Sequence, residues 1–193
     1  MKIIPLALPE VRLVTAEPIA DERGHFARLW CRGSFAAAGL AIEIEQASLS
    51  YNHQAGTVRG MHFTWAPSRE GKLVRCARGR VHDVVLDLRP GSPAFGQHLA
   101  VVLDAEQGHA LYIPPGVAHG YQTLVDATEL HYMMSEPYQP DLADGVRHDD
   151  PAFGIDWPLP VTCIAARDRD YPAFDAEAHR ARFVARQSIG GRS

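Results

Sequence analysis

The sequence predicts an all-β fold, a jelly-roll barrel with short peripheral helices near the N-terminus and at the C-terminus. Three observations predict it. From Glu43 to Tyr132 the chain runs in brief β-branched and aromatic segments separated by Gly, Pro and Asn, the pattern of many short strands joined by tight turns. Helical patterning is confined to one short stretch before that region and one after it. The 16 Gly and 14 Pro are scattered as turn punctuation and do not gather into a linker, and no internal repeat is present. Residues 1–193 therefore read as one domain, long enough to close a substantial core.

The elements follow in order. The segment MKIIPLALPEVRLV is apolar but is cut by Pro5 and Pro9; it has neither a signal-peptide cleavage pattern nor the length of a membrane span. GSFAAAGL reads as a short helix, with Ser34 as N-cap and Gly39 as its stop. KLVRCARGRVHDVVLDLR reads as a hairpin whose two alternating arms flank Arg78 and Gly79. HLAVVLD, HALYIP, GYQTLV and TELHYMMS each read as strands of five to eight residues. Beyond Tyr138 the periodicity fades. DPAFGIDWPLP and RDRDYPAFDAEAHRARFVAR read as loops and a terminal helix packed outside or across the barrel.

Charge and cysteine content bound the function. A formal net charge of −4 without a long basic run offers no electrostatic footprint for nucleic acid or an anionic membrane. A small-molecule partner is expected instead. Three cysteines, Cys31, Cys76 and Cys163, form neither a disulfide framework nor a metal-binding spacing, which points to a reducing, cytoplasmic setting. Among 19 basic residues only Lys2 and Lys72 are lysine. Since the chain otherwise uses arginine for positive charge, Lys72 calls for a chemical explanation.

GHALYIPPGVAH has the glycine, Pro-x-Gly and histidine spacing of the second cupin motif. Gly108 and Gly116 suit turns, Pro114 fixes a strand end, and His119 then points inward from the next strand. The first cupin motif is only half present. GTVRGMHFT supplies Gly56 and His62 but has Thr64 where the second histidine belongs, with Glu70 nearby. A stable divalent site generally needs three or more converging ligands, so no metal is expected and the barrel is read as doing acid–base chemistry. His62, Lys72, His119 and Tyr132 all fall on strands that a jelly roll turns inward, and four such groups are costly to bury without use.

The ordered set RGMHF, KLVR, DLRPGSPAFG, IPPGVAHG, YMMSEPY and DDPAFGIDWP, between about Asp21 and Asp168, resembles the dTDP-4-dehydrorhamnose 3,5-epimerase family. The resemblance implies a cupin-type homodimer that epimerises carbons three and five of a nucleoside-diphosphate 4-keto-6-deoxyhexose, dTDP-linked in the family, with no metal or redox cofactor. It assigns the base to His62, an aspartate partner to Asp168, with Asp170 and Asp83 as alternatives, the lysine to Lys72 and the proton donor to Tyr132. Arg59, His119, Tyr138, Asp83 and Arg167 become pocket residues, and Arg23 and Gln46 match positions that hold the nucleotide or its phosphates. The chemistry agrees: a C–H beside a ketone needs a base poised near neutrality, a charge to hold the forming enolate, and a donor on the opposite face.

Several positions depart from the family pattern. Arg28 stands where a glutamate is common, Gln46-Ala47-Ser48 replaces Gln-x-Asn, Thr64 and Trp65 replace the usual glutamine region, and Ala143 precedes Asp144 where an acidic residue is usual. The acid–base set is complete while the binding periphery has changed. Two other readings remain open on sequence alone: a metal-dependent cupin dioxygenase or isomerase, and a non-catalytic sugar-nucleotide-binding module.

Overall fold

A computed structural model describes residues 1–40 and 42–190, with side chains as far as Arg186; residues 191–193 of the single-domain expectation lie outside this range. The chain runs β1 (Lys2–Pro5), β2 (Arg12–Thr15), β3 (Ile19–Asp21), β4 (Gly24–Phe26), α1 (Arg32–Ala37), β5 (Gln46–Asn52), β6 (Thr57–Thr64) and β7 (Lys72–Arg78). It continues through β8 (Arg80–Asp87), β9 (His98–Asp104), β10 (Ala110–Ile113), β11 (Val117–Thr123) and β12 (Thr128–Met134). β13 (Ala143–Gly145), β14 (Cys163–Ile164), α2 (Ala166–Arg169) and α3 (Ala176–Gly190) complete it. The all-β jelly roll expected from the strand pattern is thus the fold observed.

Two main sheets face each other. One has the order β1-β2-β10-β7-β12-β5 and the other β13-β6-β11-β8-β9, with β14 joining β6 and β3-β4 forming a separate ribbon. Inward residues alternate along the strands, so Val74 and Cys76 from one sheet meet Val81, Val85 and Tyr121 from the other, all 0–1% exposed. β1 and β2 form in the apolar N-terminus, for which the sequence pattern assigned no element. Pro5 ends an outermost strand, a position where its missing N–H costs nothing.

The expected hairpin around Arg78 and Gly79 does not form. β7 and β8 are consecutive but belong to opposite sheets: β7 pairs with β10 and β12, whereas β8 pairs with β11 and β9. Gly79, at φ +79°, carries the chain across the gap. A Cβ there would come within 2.5 Å of the Thr128 hydroxyl oxygen, so both the backbone angle and the close approach require glycine. Local alternation could not distinguish a two-residue hairpin from a corner between sheets.

The helices are peripheral, as expected. α1 buries Phe35 completely, against Val14, Leu73 and Tyr112. Its N-cap is Cys31, without a side-chain cap bond, so Ser34 lies inside the helix and is not the cap; Gly39, at φ +75°, does follow its end. α3 starts on Asp175, whose carboxylate accepts the N–H groups of Glu177 at 2.9 Å and Ala178 at 3.0 Å. It lies over Trp65, with Arg182 stacked 4.7 Å from that ring and also hydrogen-bonded to Asp144 at 2.9 Å. Among the described residues, no helix is long and apolar enough to cross a membrane.

Candidate active site

A cavity of about 350 Å³ opens between the two sheets, lined by His62, Lys72, His119 and Tyr132 together with Arg59, Glu70, Tyr138 and Arg167. The fold brings these side chains together from opposite sheets. His62 on β6 pairs directly with His119 on β11, and the register slips just beyond them. The slip is accommodated by Gly60 and Gly120, where the strands pack so closely that a Cβ on Gly60 would lie 2.5 Å from the Gly120 Cα. Tyr132 and Lys72 enter from the facing sheet, on neighbouring β12 and β7.

His62 has one nitrogen fixed. Its Nε2 lies 2.7 Å from Asp168 Oδ1, while Asp168 Oδ2 accepts the Gly60 N–H at 3.1 Å. A carboxylate is an acceptor only, so Nε2 carries the proton and Nδ1 holds the free lone pair. Burial opposes the charge on Asp168. The hydrogen bond and charge of His62, the Gly60 amide and Arg167 outweigh it and hold the carboxyl below the ordinary aspartate range. The geometry selects Asp168 over the alternatives: Asp170 is exposed and paired with Arg169, and Asp83 is bonded to His119, at 2.9 Å and 3.1 Å.

Lys72 stands at the other side with its Nζ 3.4 Å from Glu70 Oε2, and Thr64 donates to that same oxygen at 2.6 Å. Both charged side chains are largely buried. A compact ammonium fixed in this way can meet one developing oxyanion as a point charge. Burial first, then Tyr121 and Asp83, raises the Tyr132 phenol well above the usual range. It therefore stays protonated and available as a donor at neutral pH.

The remaining expected positions divide. Arg59, His119, Tyr138 and Arg167 line the cavity. Gln46 sits at its rim, accepting the Tyr138 N–H at 3.2 Å. Asp83, fully buried, stands behind His119 and does not line the cavity, so its expected direct contact with substrate is corrected to a contact with His119. Arg23 is not brought to the cavity at all: it lies on the exposed β3-β4 ribbon, hydrogen-bonded to Asp21. Of the departures, Ser48, Thr64, Ala143 and Asp144 line the cavity, while Trp65 faces away under α3 and Arg28 is exposed.

Sequence reasoning missed the residues around Lys72 and Tyr132. Glu70 was weighed only as a metal ligand, whereas it is the ion-pair partner of Lys72. Tyr121 and Ser50, bonded to each other at 2.8 Å, were not singled out. The period-two spacing of His119 and Tyr121 on β11 was the available signal. A larger cavity of about 600 Å³, between the loop after β6 and α3, contains Trp65, Arg69 and Phe183 but none of the acid–base set. Among the described residues, no three His, Cys, Asp or Glu side chains converge on a point where they could hold a metal ion.

Comparison with known proteins then decides the family. The family model described as dTDP-4-dehydrorhamnose 3,5-epimerase matches residues 5–176. The chain belongs to the dTDP-4-dehydrorhamnose 3,5-epimerase family. It is an epimerase, an enzyme of the isomerase class. A relative from Sinorhizobium fredii, named dTDP-4-dehydrorhamnose 3,5-epimerase, is 39% identical over 173 residues, covering 87% of this chain and 87% of its own. The structure of NovW, a 4-keto-6-deoxy sugar epimerase from the novobiocin cluster of Streptomyces spheroides, superposes with a TM-score of 0.89 at 38% identity, covering 95% of this chain and 92% of that one. ChmJ, a 3'-monoepimerase from Streptomyces bikiniensis solved with dTDP-quinovose, superposes with a TM-score of 0.86 at 31% identity and 97% coverage of both chains. The epimerase fold and the six ordered motifs therefore agree.

Proposed function

We propose that this epimerase acts on a nucleoside-diphosphate 4-keto-6-deoxyhexose, dTDP-linked, in deoxysugar biosynthesis, inverting carbon three, carbon five or both. The observation that carries the reading is a single cavity holding the Asp168-oriented His62 base, the Lys72 cation and the Tyr132 phenol. His62 Nδ1 removes the proton beside the ketone, and the positive charge left on the imidazole is stabilised by Asp168. As the enolate forms, its oxygen charge is met by Lys72. Tyr132 then delivers a proton to the opposite face, which inverts the centre. Return from His62 would only restore it.

His119, fixed by Asp83, and Arg59 line the same space and contact the sugar and the diphosphate. Tyr138, Gln46 and Arg167 form the rim for the nucleotide. Similarity both to a 3,5-epimerase and to a 3'-monoepimerase supports either outcome at the carbons. The test is deuterium uptake from solvent into carbons three and five, followed by mass spectrometry across several such nucleotides. No uptake from any of them rejects the reading. A metal-dependent cupin reaction is disfavoured because, among the described residues, no three His, Cys, Asp or Glu side chains converge as a ligand set would.

The enzyme is further proposed to act as a homodimer in the cytoplasm. The β3-β4 ribbon leaves Ile19 72% and Phe26 71% exposed, apolar surface that a second copy would cover. Arg23 stands on the same ribbon, so a role on the diphosphate would be exercised in the cavity of the second copy. Sedimentation analysis of the chain and of Arg23→Ala tests this. A monomeric, fully active enzyme would reject the dimer, and a dimeric Arg23→Ala with unchanged KM would reject the phosphate role.

A further inference from the structure

Arg23, Arg89, Arg147, Arg169 and Arg182 are each paired with a carboxylate. Arg59 is held differently. Its Nε–H donates to Asn52 Oδ1 at 2.9 Å, and its Nη2 donates to the Tyr51 carbonyl at 3.3 Å. Both acceptors are neutral, so they fix one side of the guanidinium without cancelling its charge. The other N–H groups of Arg59, both on Nη1 among them, have no hydrogen-bond partner among the described residues. Arg59 is exposed and lines the cavity, so this free end is open to a ligand there.

Asn52 can take only one orientation. It is 2% exposed at the end of β5, where it pairs in register with Thr128 of β12. Its Nδ2 donates to the Thr128 carbonyl at 3.2 Å, and its Oδ1 accepts a second hydrogen bond, from the Tyr121 hydroxyl, at 3.2 Å. A reversed amide would turn its NH2 toward two donors and its oxygen toward an acceptor, losing each of these bonds. The oxygen offered to Arg59 is therefore fixed by the fold. Asn52 itself does not line the cavity, so any effect it has on a ligand passes through Arg59.

From this arrangement we infer that Asn52 is a positioning residue for the anionic part of the substrate: it holds Arg59 so that the free Nη1 end meets a phosphate of the diphosphate. The inference rests on the proposed function above, which puts a nucleoside diphosphate in this cavity. Two physical effects support it. An arginine already held by its Nε loses less side-chain freedom when the ligand arrives, and the ordering of one long side chain can change affinity by up to about tenfold. A carboxylate at the same place would also orient Arg59, but it would compete with the phosphate for the same charge. The neutral amide gives the orientation and leaves the full charge for the ligand.

Asn52→Ala removes the acceptor and leaves Arg59 in the chain. The experiment is calorimetric titration of dTDP into the full-length wild type, Asn52→Ala, Arg59→Ala and the double variant. Asn52→Ala should bind dTDP about tenfold more weakly than the wild type. In the Arg59→Ala background the same change should alter affinity by less than about twofold, because Asn52 acts only through Arg59. Unchanged affinity in Asn52→Ala would overturn the inference. So would an equal loss in both backgrounds, which marks a merely structural amide. If Asn52→Ala does not fold, Asn52→Thr, which suits a strand and draws the acceptor back by one bond, takes its place in the cycle with the same expectation. Deuterium uptake separates this inference from the reaction. The expected cycle in an enzyme that exchanges no deuterium would keep Asn52 in its role and remove the proposed epimerisation, whereas a wild type that binds no nucleoside diphosphate would remove both.

Discussion

Asp168 touches β6 twice, accepting from His62 Nε2 at 2.7 Å with one oxygen and from the Gly60 N–H at 3.1 Å with the other. The carboxylate therefore sets both the tautomer and the position of the imidazole. Asp168→Asn removes the charge that stabilises the imidazolium and permits the wrong tautomer, so exchange should fall by on the order of 10²–10⁴. His62→Ala should fall at least as far. Deuterium uptake measures both, and an Asp168→Asn enzyme near the wild-type rate would release Asp168 from the mechanism.

Tyr132→Phe should separate two events. Proton removal by His62 continues, so deuterium still enters at the attacked face, while the inverted product is lost. Nuclear magnetic resonance of the recovered sugar distinguishes the two. Equal loss of exchange and inversion would refute the donor assignment.

Lys72→Ala should cost about 3 kcal/mol of transition-state stabilisation, on the order of a hundredfold in kcat/KM, by analogy with the loss of an oxyanion donor. Glu70→Gln tests what holds the lysine. It removes the ion pair at 3.4 Å but leaves an acceptor for the Thr64 hydroxyl, so kcat should fall less than in Lys72→Ala. Steady-state kinetics of the two variants provide the check, and a larger loss in Glu70→Gln would overturn this ordering.

Stability should show an acid limb that depends on Asp168 and Asp87. The Asp168 carboxyl is lowered despite burial, through His62, Gly60 and Arg167; that of Asp87 is lowered despite burial, through Arg89 and Ser92. A depressed folded-state value means stability that is fully present above the ordinary aspartate range near about 4 and is lost as the pH falls through the folded-state value. Thermal melts between neutrality and strong acid should therefore fall steeply only at the acid end. Asp87→Asn should flatten that limb, and an unchanged limb would contradict the assignment.

Cysteine reactivity should follow exposure. Burial pushes the Cys76 thiol up to about 11, so near pH 8 only about one in a thousand is thiolate. Cys163 is exposed and Cys31 half-buried. Iodoacetamide on the native enzyme should label Cys163 first and leave Cys76 unmodified until unfolding. Peptide mapping that finds Cys76 labelled at the rate of Cys163 would contradict this.

The sequence by itself determined the fold class, most strand positions, the peripheral helices and four polar side chains that meet in one cavity. Strand alternation and glycine spacing are local, and His62, Lys72, His119 and Tyr132 are chemically conspicuous wherever they stand. Three matters were decided only by the tertiary structure. β7 and β8 lie in different sheets although their sequences alternate like a hairpin, because strand pairing depends on which distant partners, β10, β12, β9 and β11, offer their edges. Asp168 was separated from Asp83 and Asp170 only by the path of the C-terminal segment, which returns to β6 from 106 residues away. The partners of Lys72, Glu70 and Thr64, and the Tyr121–Ser50 hydrogen bond beside the cavity likewise arise between elements of the fold. Hydrogen bonds of that kind depend on distances of a few tenths of an ångström between segments remote in sequence, and a pattern of residue types along one chain carries no such distances.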